Sequence, residues 1–269
     1  MPELPEVEVA RRSVEAWLGG QVVIHAELPA SRVVRGKGLA GALVDRCIVD
    51  VQRRGKWLRL GLDDGRALFS HLGMTGKWVR RERNTPKLPY ERARLDGKSV
   101  SVRYLDPRLF GRLELFAAGQ APRAFDELGP DPLLDGLGGL GAALAKTSRP
   151  IKVALLDQTL LAGIGNIQAT EALWRSRLDP RQRANRMTKA EVKRLARGLL
   201  ATLAYTLSVE DSDEISYVEE AGADNPFRVY GREGEPCPRC KAALTRLVQA
   251  GRSTFYCAAC LKPSDGDRP

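Results

Sequence analysis

The chain has 269 residues, 43% of them apolar, and carries 43 Lys+Arg against 33 Asp+Glu, a formal charge of +10. That length and apolar content support one large or two smaller cores and exclude intrinsic disorder over most of the chain. No apolar run is long enough to span a bilayer, and the start Met1-Pro2-Glu3-Leu4-Pro5-Glu6 lacks the basic and apolar segments of a secretory signal, so a cytoplasmic location and no membrane partner are expected. The positive excess points to a polyanionic partner, without separating DNA, RNA, a membrane surface or an acidic protein.

In chain order, Val7, Ala10, Val14, Trp17 and Leu18 recur at helical spacing and Gly19-Gly20 stops the run, which predicts a helix over 5–18. From Val22 to about Phe116 the pattern changes to short β-branched or alternating runs at 22–24, 57–60, 67–69, 100–102 and 113–116, separated by Gly, Asp and Pro. This predicts a β-sandwich or barrel with a helix attached. Gly129-Pro130-Asp131-Pro132 marks a boundary. The middle third reads as helices at 133–145, 151–156, 166–174 and 189–207. The last has a Thr188-x-x-Glu191 capping box and an apolar stripe of Val192, Leu195, Leu199 and Leu203. The expected domains are 1–118, 119–229 and 230–269, with no internal repeat and a frayed tail from Ser264.

Cys237-x2-Cys240-x16-Cys257-x2-Cys260 has the spacing of a four-cysteine zinc ribbon, two Cys-x-x-Cys turns closing a tetrahedron. The alternative is four incidental cysteines. Four protein ligands leave no open position, so one structural Zn2+ is expected. Lone Cys47 reads as an ordinary buried side chain. Arg239, Lys241, Arg246, Arg252 and Lys262 surround the ligands, and no acidic residue occurs from Cys237 to Pro263. A ribbon with only positive charge suits phosphate binding, though a solvated basic surface would look the same. Gly163-Ile164-Gly165-Asn166 precedes a helix, where backbone N–H groups and the helix dipole can meet a phosphate, unless the glycines form a plain tight turn. Lys152 could add a charged phosphate contact or be simply exposed.

These motifs, with Pro2-Glu3-Leu4-Pro5-Glu6-Val7-Glu8, His71-Leu72-Gly73-Met74-Thr75-Gly76 and Asp106-Pro107-Arg108-Leu109-Phe110-Gly111, closely resemble the formamidopyrimidine-DNA glycosylases over roughly residues 2–262, in family order. The resemblance implies an α+β multidomain fold: an N-terminal helix with a two-layer β-sandwich, a helix-two-turns-helix bundle and a C-terminal zinc-ribbon β-hairpin. It also implies a bifunctional bacterial enzyme, acting as a monomer and nucleoid-associated through its DNA, that excises oxidised or ring-opened purines from duplex DNA and cleaves the abasic strand.

Its chemistry makes sense of the N-terminus. Removal of Met1 would leave the Pro2 secondary amine free to attack the sugar C1′, displacing the base and giving an iminium that acidifies the C2′ proton. By resemblance, Glu3 is the acid-base group, Lys56 assists β-elimination and Arg252 grips the lesion phosphates and assists δ-elimination. His71, Lys152, Gly165 and Asn166 are implied DNA contacts. Met74, Arg108 and Phe110 fill the space left by a flipped nucleotide; without the resemblance, Met74 and Phe110 would read as core. Lys56, Arg53 or Arg54 would depress the amine pKa if they lie close.

The chain departs from the pattern at Gln168, Tyr90 and Thr147, and most at 210–224, where seven acidic residues occur without Lys or Arg. In the family this stretch caps the flipped base. A repelled acidic loop would turn its carboxylates to solvent or to basic residues, or would favour another lesion. The alternatives are therefore the same scaffold acting on an oxidised pyrimidine or bulky alkyl adduct, or a DNA binder without chemistry.

Overall fold

The computed structural model describes residues 2–210, 213–218, 222 and 224–261. The expectations for Met1, Lys262, the tail from Ser264, and the acidic residues Asp211, Glu219 and Glu220 lie outside the described residues. Contacts divide the chain into two compact units, 1–127 with 210–223, and 128–209 with 224–269. No helix among the described residues is long and apolar enough to cross a membrane.

The first unit runs α1 (Leu4–Leu18), β1 (His25–Glu27), β2 (Val34–Arg35), α2 (Leu39–Leu43), β3 (Ile48–Arg54), β4 (Trp57–Leu62), β5 (Ala67–His71), β6 (Lys77–Arg81), β7 (Glu91–Asp96), β8 (Ser101–Leu105), β9 (Arg112–Phe116) and α3 (Arg123–Asp126). Two sheets form, ordered β1-β7-β8-β6 and β2-β9-β5-β4-β3, antiparallel except for the β2–β9 pair. The Trp78 indole on β6 donates to Ser70 Oγ on β5 at 3.1 Å, joining the two layers inside. Helix α1 packs on β3, β4, β6 and β8. Its Leu4, Val7, Val14 and Leu18 are wholly buried, each worth at most about 1.5–3 kcal/mol. The strand expected at 22–24 starts instead at His25. Val22 makes an isolated bridge to Cys47, and Val22 and Ile24 are exposed while Val23 between them is wholly buried, so the run gives the core one residue without forming a strand.

The second unit contains α4 (Leu140–Ala145), α5 (Ile151–Leu155), α6 (Asn166–Ser176), α7 (Lys189–Val209) and the hairpin β10 (Thr245–Gln249) with β11 (Arg252–Tyr256). The helix expected at 133–145 is confined to its last six residues. The Asp131 carboxylate accepts from the Leu133 and Leu134 N–H groups, a local turn that competes with the helix, and Gly136, Gly138 and Gly139 follow. Helix α7 has its capping box, Thr188 N–H to Glu191 Oε2 at 2.8 Å and Glu191 N–H to Thr188 Oγ1 at 3.3 Å. Leu195, Leu199 and Leu203 are buried. It packs on α6 at Gly198, where a Cβ would lie 2.1 Å from Ser176 Oγ.

Candidate active site and metal centre

Pro2 and Glu3 are buried directly ahead of α1. Glu3 and Glu6 form a capping box, with Glu6 Oε2 accepting from the Glu3 N–H at 2.9 Å. Burial, then the neighbouring Glu3, pushes the Glu6 carboxyl up to about 7, so Glu6 is largely uncharged in mild acid. Lys56 sits in the β3–β4 turn, whose Gly55 has φ +56°. That turn is tied to α1 by Arg53, which donates Nε to Glu8 Oε2 and a terminal nitrogen to the Gly55 carbonyl, each at 3.1 Å. Burial opposes ionisation of Glu8, but Arg11, Arg53 and Arg12 hold it below the usual carboxylate range. Arg53, one of the three cations named for the Pro2 amine, is ion-paired with Glu8.

His71 pairs with Trp57 across β4 and β5, the rings edge-on at 4.8 Å. The residue keeps some solvent contact while its ring is densely surrounded. Burial, then Lys56 and Arg112, pulls its pKa down to about 4. The Gly73 N–H donates to His71 Nδ1 at 3.0 Å. A neutral ring that accepts at Nδ1 carries its proton on Nε2, so His71 presents a fixed N–H donor.

Met74, Arg108 and Phe110 come from two turns, 71–76 and 106–111, held together by the buried Asp106. Its carboxylate accepts from the Thr75 hydroxyl (2.9 Å), the Arg108 N–H (3.2 Å) and the Gly111 N–H (2.8 Å). The backbones touch: a Cβ on Gly73 would lie 2.4 Å from Phe110 C. Leu109 takes φ +58°, a costly conformation for a leucine, between the exposed Arg108 and Phe110. The Arg108 guanidinium lies over the Phe110 ring at 5.2 Å. Phe110 is 51% exposed, unlike the core residue its type suggests. The pinning role of Asp106 escaped the sequence reading, although an Asp before Pro in a turn closed by Gly is its signature.

In the second unit, Lys152 is not at the surface. Its ammonium is buried, donating to Asn166 Oδ1 (2.5 Å), Thr254 Oγ1 (2.7 Å) and the Ser253 carbonyl (3.0 Å). Asn166 Nδ2 also donates to the Ser253 carbonyl at 3.0 Å. Lys152 thus ties the start of α6 to β11, where Arg252 is exposed beside the Ala250-Gly251 turn. Of the glycine pair, Gly163 has φ +85° and donates to Gln158 Oε1 at 2.9 Å, while Gly165 is the extended residue preceding α6. Gln168 is wholly buried, donating to Thr206 Oγ1 at 3.0 Å and so linking α6 to α7. Tyr90, at φ +62°, supports the second turn through its carbonyl, which accepts the Asp106 N–H. The Thr147 hydroxyl accepts from Arg149 Nε.

The sulfurs of Cys237, Cys240, Cys257 and Cys260 all lie within 4.8 Å of one another, with separations of 3.4–3.8 Å between hydrogen-bonded pairs. A Zn–S length of about 2.3 Å requires tetrahedral edges of about 3.8 Å, so the cluster fits one zinc ion. Burial, then hydrogen bonding with the Cys240 and Cys260 sulfurs, pushes the Cys257 thiol up to about 12. Val229 and Leu244 pack behind the cluster, and the Arg239 guanidinium lies 4.5 Å above the Trp174 ring.

Three family models match in succession: the formamidopyrimidine-DNA glycosylase N-terminal domain over residues 1–113, its H2TH domain over 128–217, and the zinc finger found in FPG and IleRS over 234–263. Formamidopyrimidine-DNA glycosylases from Thermus thermophilus and Brucella ovis are 40% and 38% identical to the chain. The alignments cover 97% of this chain and 98% and 99% of theirs. The Lactococcus lactis Fpg (MutM) bound to N7-benzyl-Fapy-dG DNA superposes with a TM-score of 0.87 at 32% identity, covering 97% of this chain and all of that one. The same enzyme bound to abasic-site DNA also gives 0.87, at 30% identity and the same coverage. The α+β architecture and one structural zinc held by the four cysteines agree with these matches.

Proposed function

This chain belongs to the formamidopyrimidine-DNA glycosylase family, and we propose that it excises oxidised or ring-opened purines from duplex DNA and then cleaves the abasic strand. The observation that carries the mechanism is the buried Pro2-Glu3 pair directly ahead of α1, with the Lys56 turn tied to that helix by Arg53. A free Pro2 amine, with a reference pKa near 8 against about 10.4 for lysine, has the larger neutral fraction at neutral pH. Its nitrogen forms a bond to C1′ as the base leaves. Glu3 gives a proton to the sugar ring oxygen as the ring opens, and loss of the C2′ proton then expels the 3′ phosphate.

His71 offers its Nε2–H to a phosphate, and Lys56 and Arg252 assist the β and δ steps. Phe110 wedges the stack, Met74 fills the void and Arg108 pairs with the orphaned base. Asn166 and Gly165, at the start of α6, contact phosphate. Lys152 acts by holding Asn166 and β11 in place. The zinc ribbon, basic and closed to further ligands, holds DNA rather than taking part in the chemistry. Action as a monomer is supported by a substrate with one lesion and no two-fold symmetry, and a cytoplasmic place at the nucleoid by the DNA substrate itself.

The test is borohydride trapping of the methionine-processed protein on duplexes carrying 8-oxoguanine, a formamidopyrimidine, an oxidised pyrimidine or an abasic site. A covalent adduct that disappears when one residue precedes Pro2 is expected. No adduct from the processed protein rejects the enzyme reading, and the acidic 210–224 segment makes the order among lesions a measurement of substrate rather than of mechanism.

A further inference from the structure

Where the chain leaves α7, residues from Glu210 onward belong to the first unit, not to the one α7 sits in. Ile215 and Tyr217 are buried there, while Asp213 and Ser216 face outward. Two grips hold this segment. The Tyr217 hydroxyl donates to the Gly76 carbonyl at 2.5 Å in a buried bond. The Glu214 carboxylate accepts from the Arg80 N–H at 3.1 Å and from the Arg81 guanidinium. Residue 214 thus lies against 80 and residue 217 against 76, so the segment runs antiparallel to β6. That strand is an edge of its sheet, and Glu214 satisfies an edge N–H that no neighbouring strand takes.

Gly76 has no slack. A Cβ there would lie 2.0 Å from the Tyr104 hydroxyl, and its own N–H closes the 71–76 turn onto the Leu72 carbonyl at 2.8 Å. A grip on its carbonyl is therefore a grip on the turn that carries His71 and Met74. We infer that Glu214 and Tyr217 are positioning residues that brace this turn for extrusion of the damaged base. The inference rests on the proposed function. It gives the acidic segment a use: at least one of its carboxylates is spent on an arginine of the same unit, so its charge is not presented to DNA.

The experiment compares Y217F, which removes one hydroxyl, and E214Q, which keeps the shape, with the unaltered protein. Single-turnover excision of 8-oxoguanine and strand cleavage at a preformed abasic site are both measured. Y217F is expected to slow excision about tenfold, the effect of one lost buried hydrogen bond, and E214Q about threefold, since Gln keeps an acceptor for the Arg80 N–H and loses only the ion pair with the partly exposed Arg81. Cleavage at the abasic site, where no base has to leave the stack, should change less than threefold. R81Q combined with E214Q should be no slower than either change alone. Excision at the unaltered rate in both variants, or equal loss of both activities, would overturn the inference. Absence of excision and of a trapped adduct in the unaltered protein would instead reject the function on which it rests.

Discussion

The ribbon takes all four of its ligands from residues 237–260, on two Cys-x-x-Cys turns joined by one hairpin, and any chain with that spacing can close the same tetrahedron. His71, Met74, Arg108 and Phe110 reach one another from separate turns across two sheets, and no spacing rule brings them together. Buried polar groups do it instead: Asp106 between the turns, Arg53 between α1 and the Lys56 turn, Tyr104 donating to the His71 carbonyl at 3.2 Å. A site held by a metal fails when its ion leaves. One held by buried hydrogen bonds fails piecemeal, one partner at a time.

The largest effect should come from the ion. Structural zinc binding is worth about 10–16 kcal/mol in small ribbons, which is more than a hairpin of this size can supply by packing. Stripping the metal with a thiol-reactive chelator should remove amide-exchange protection from 237–260 and abolish DNA binding, while β4, β5 and β8 keep theirs. Exchange spreading through those strands would mean that the ribbon is not a local structure, and the contrast would fail. On the other side, Asp106→Asn should cost about 2 kcal/mol in urea unfolding, since the amide nitrogen meets an N–H or hydroxyl donor where an acceptor stood. The same change should weaken DNA binding without touching the metal, measured as zinc content. An unchanged midpoint would remove Asp106 from the account.

The contrast also sorts what could be read in advance. Helix α1, the capping box of α7 and the cysteine site rest on local periodicity, local capping and local spacing, and all stand where the sequence places them. Helix α4 falls short because a side chain at Asp131 competes with the helix, a choice that propensity alone does not settle. Lys152 was open to reading as an exposed phosphate contact, whereas Asn166, Ser253 and Thr254 enclose its ammonium, and two of those residues lie some hundred positions away. Gln168 departs from the family at a position that faces α7, so its effect is on packing between helices rather than on a surface contact.

The effect that is smallest at each measured step is a pH signature that only the remotely assembled site should carry, because it buries two ionisable groups that pull in opposite directions. Glu6 has its carboxyl raised to about 7 in the folded chain, so its stabilising contribution is complete below 4.5 and is lost as pH rises toward 7. His71 is lowered to about 4, so its contribution is complete above 6.5 and is lost as pH falls toward 4. Between pH 4.5 and 6.5 the folded state binds one proton more than the unfolded at Glu6 and one fewer at His71, and the two slopes cancel. Glu6→Gln removes one of them. Its stability relative to the unaltered protein should therefore rise with pH by up to about 1.4 kcal/mol per unit across that window. His71→Gln should show the opposite slope, and the double variant should return to the unaltered one. Urea unfolding at half-unit steps measures all four proteins. Parallel curves would mean that neither group is held away from its ordinary pKa, and His71 would then meet a phosphate as a titrating cation rather than as the fixed Nε2–H donor that the Gly73 hydrogen bond defines.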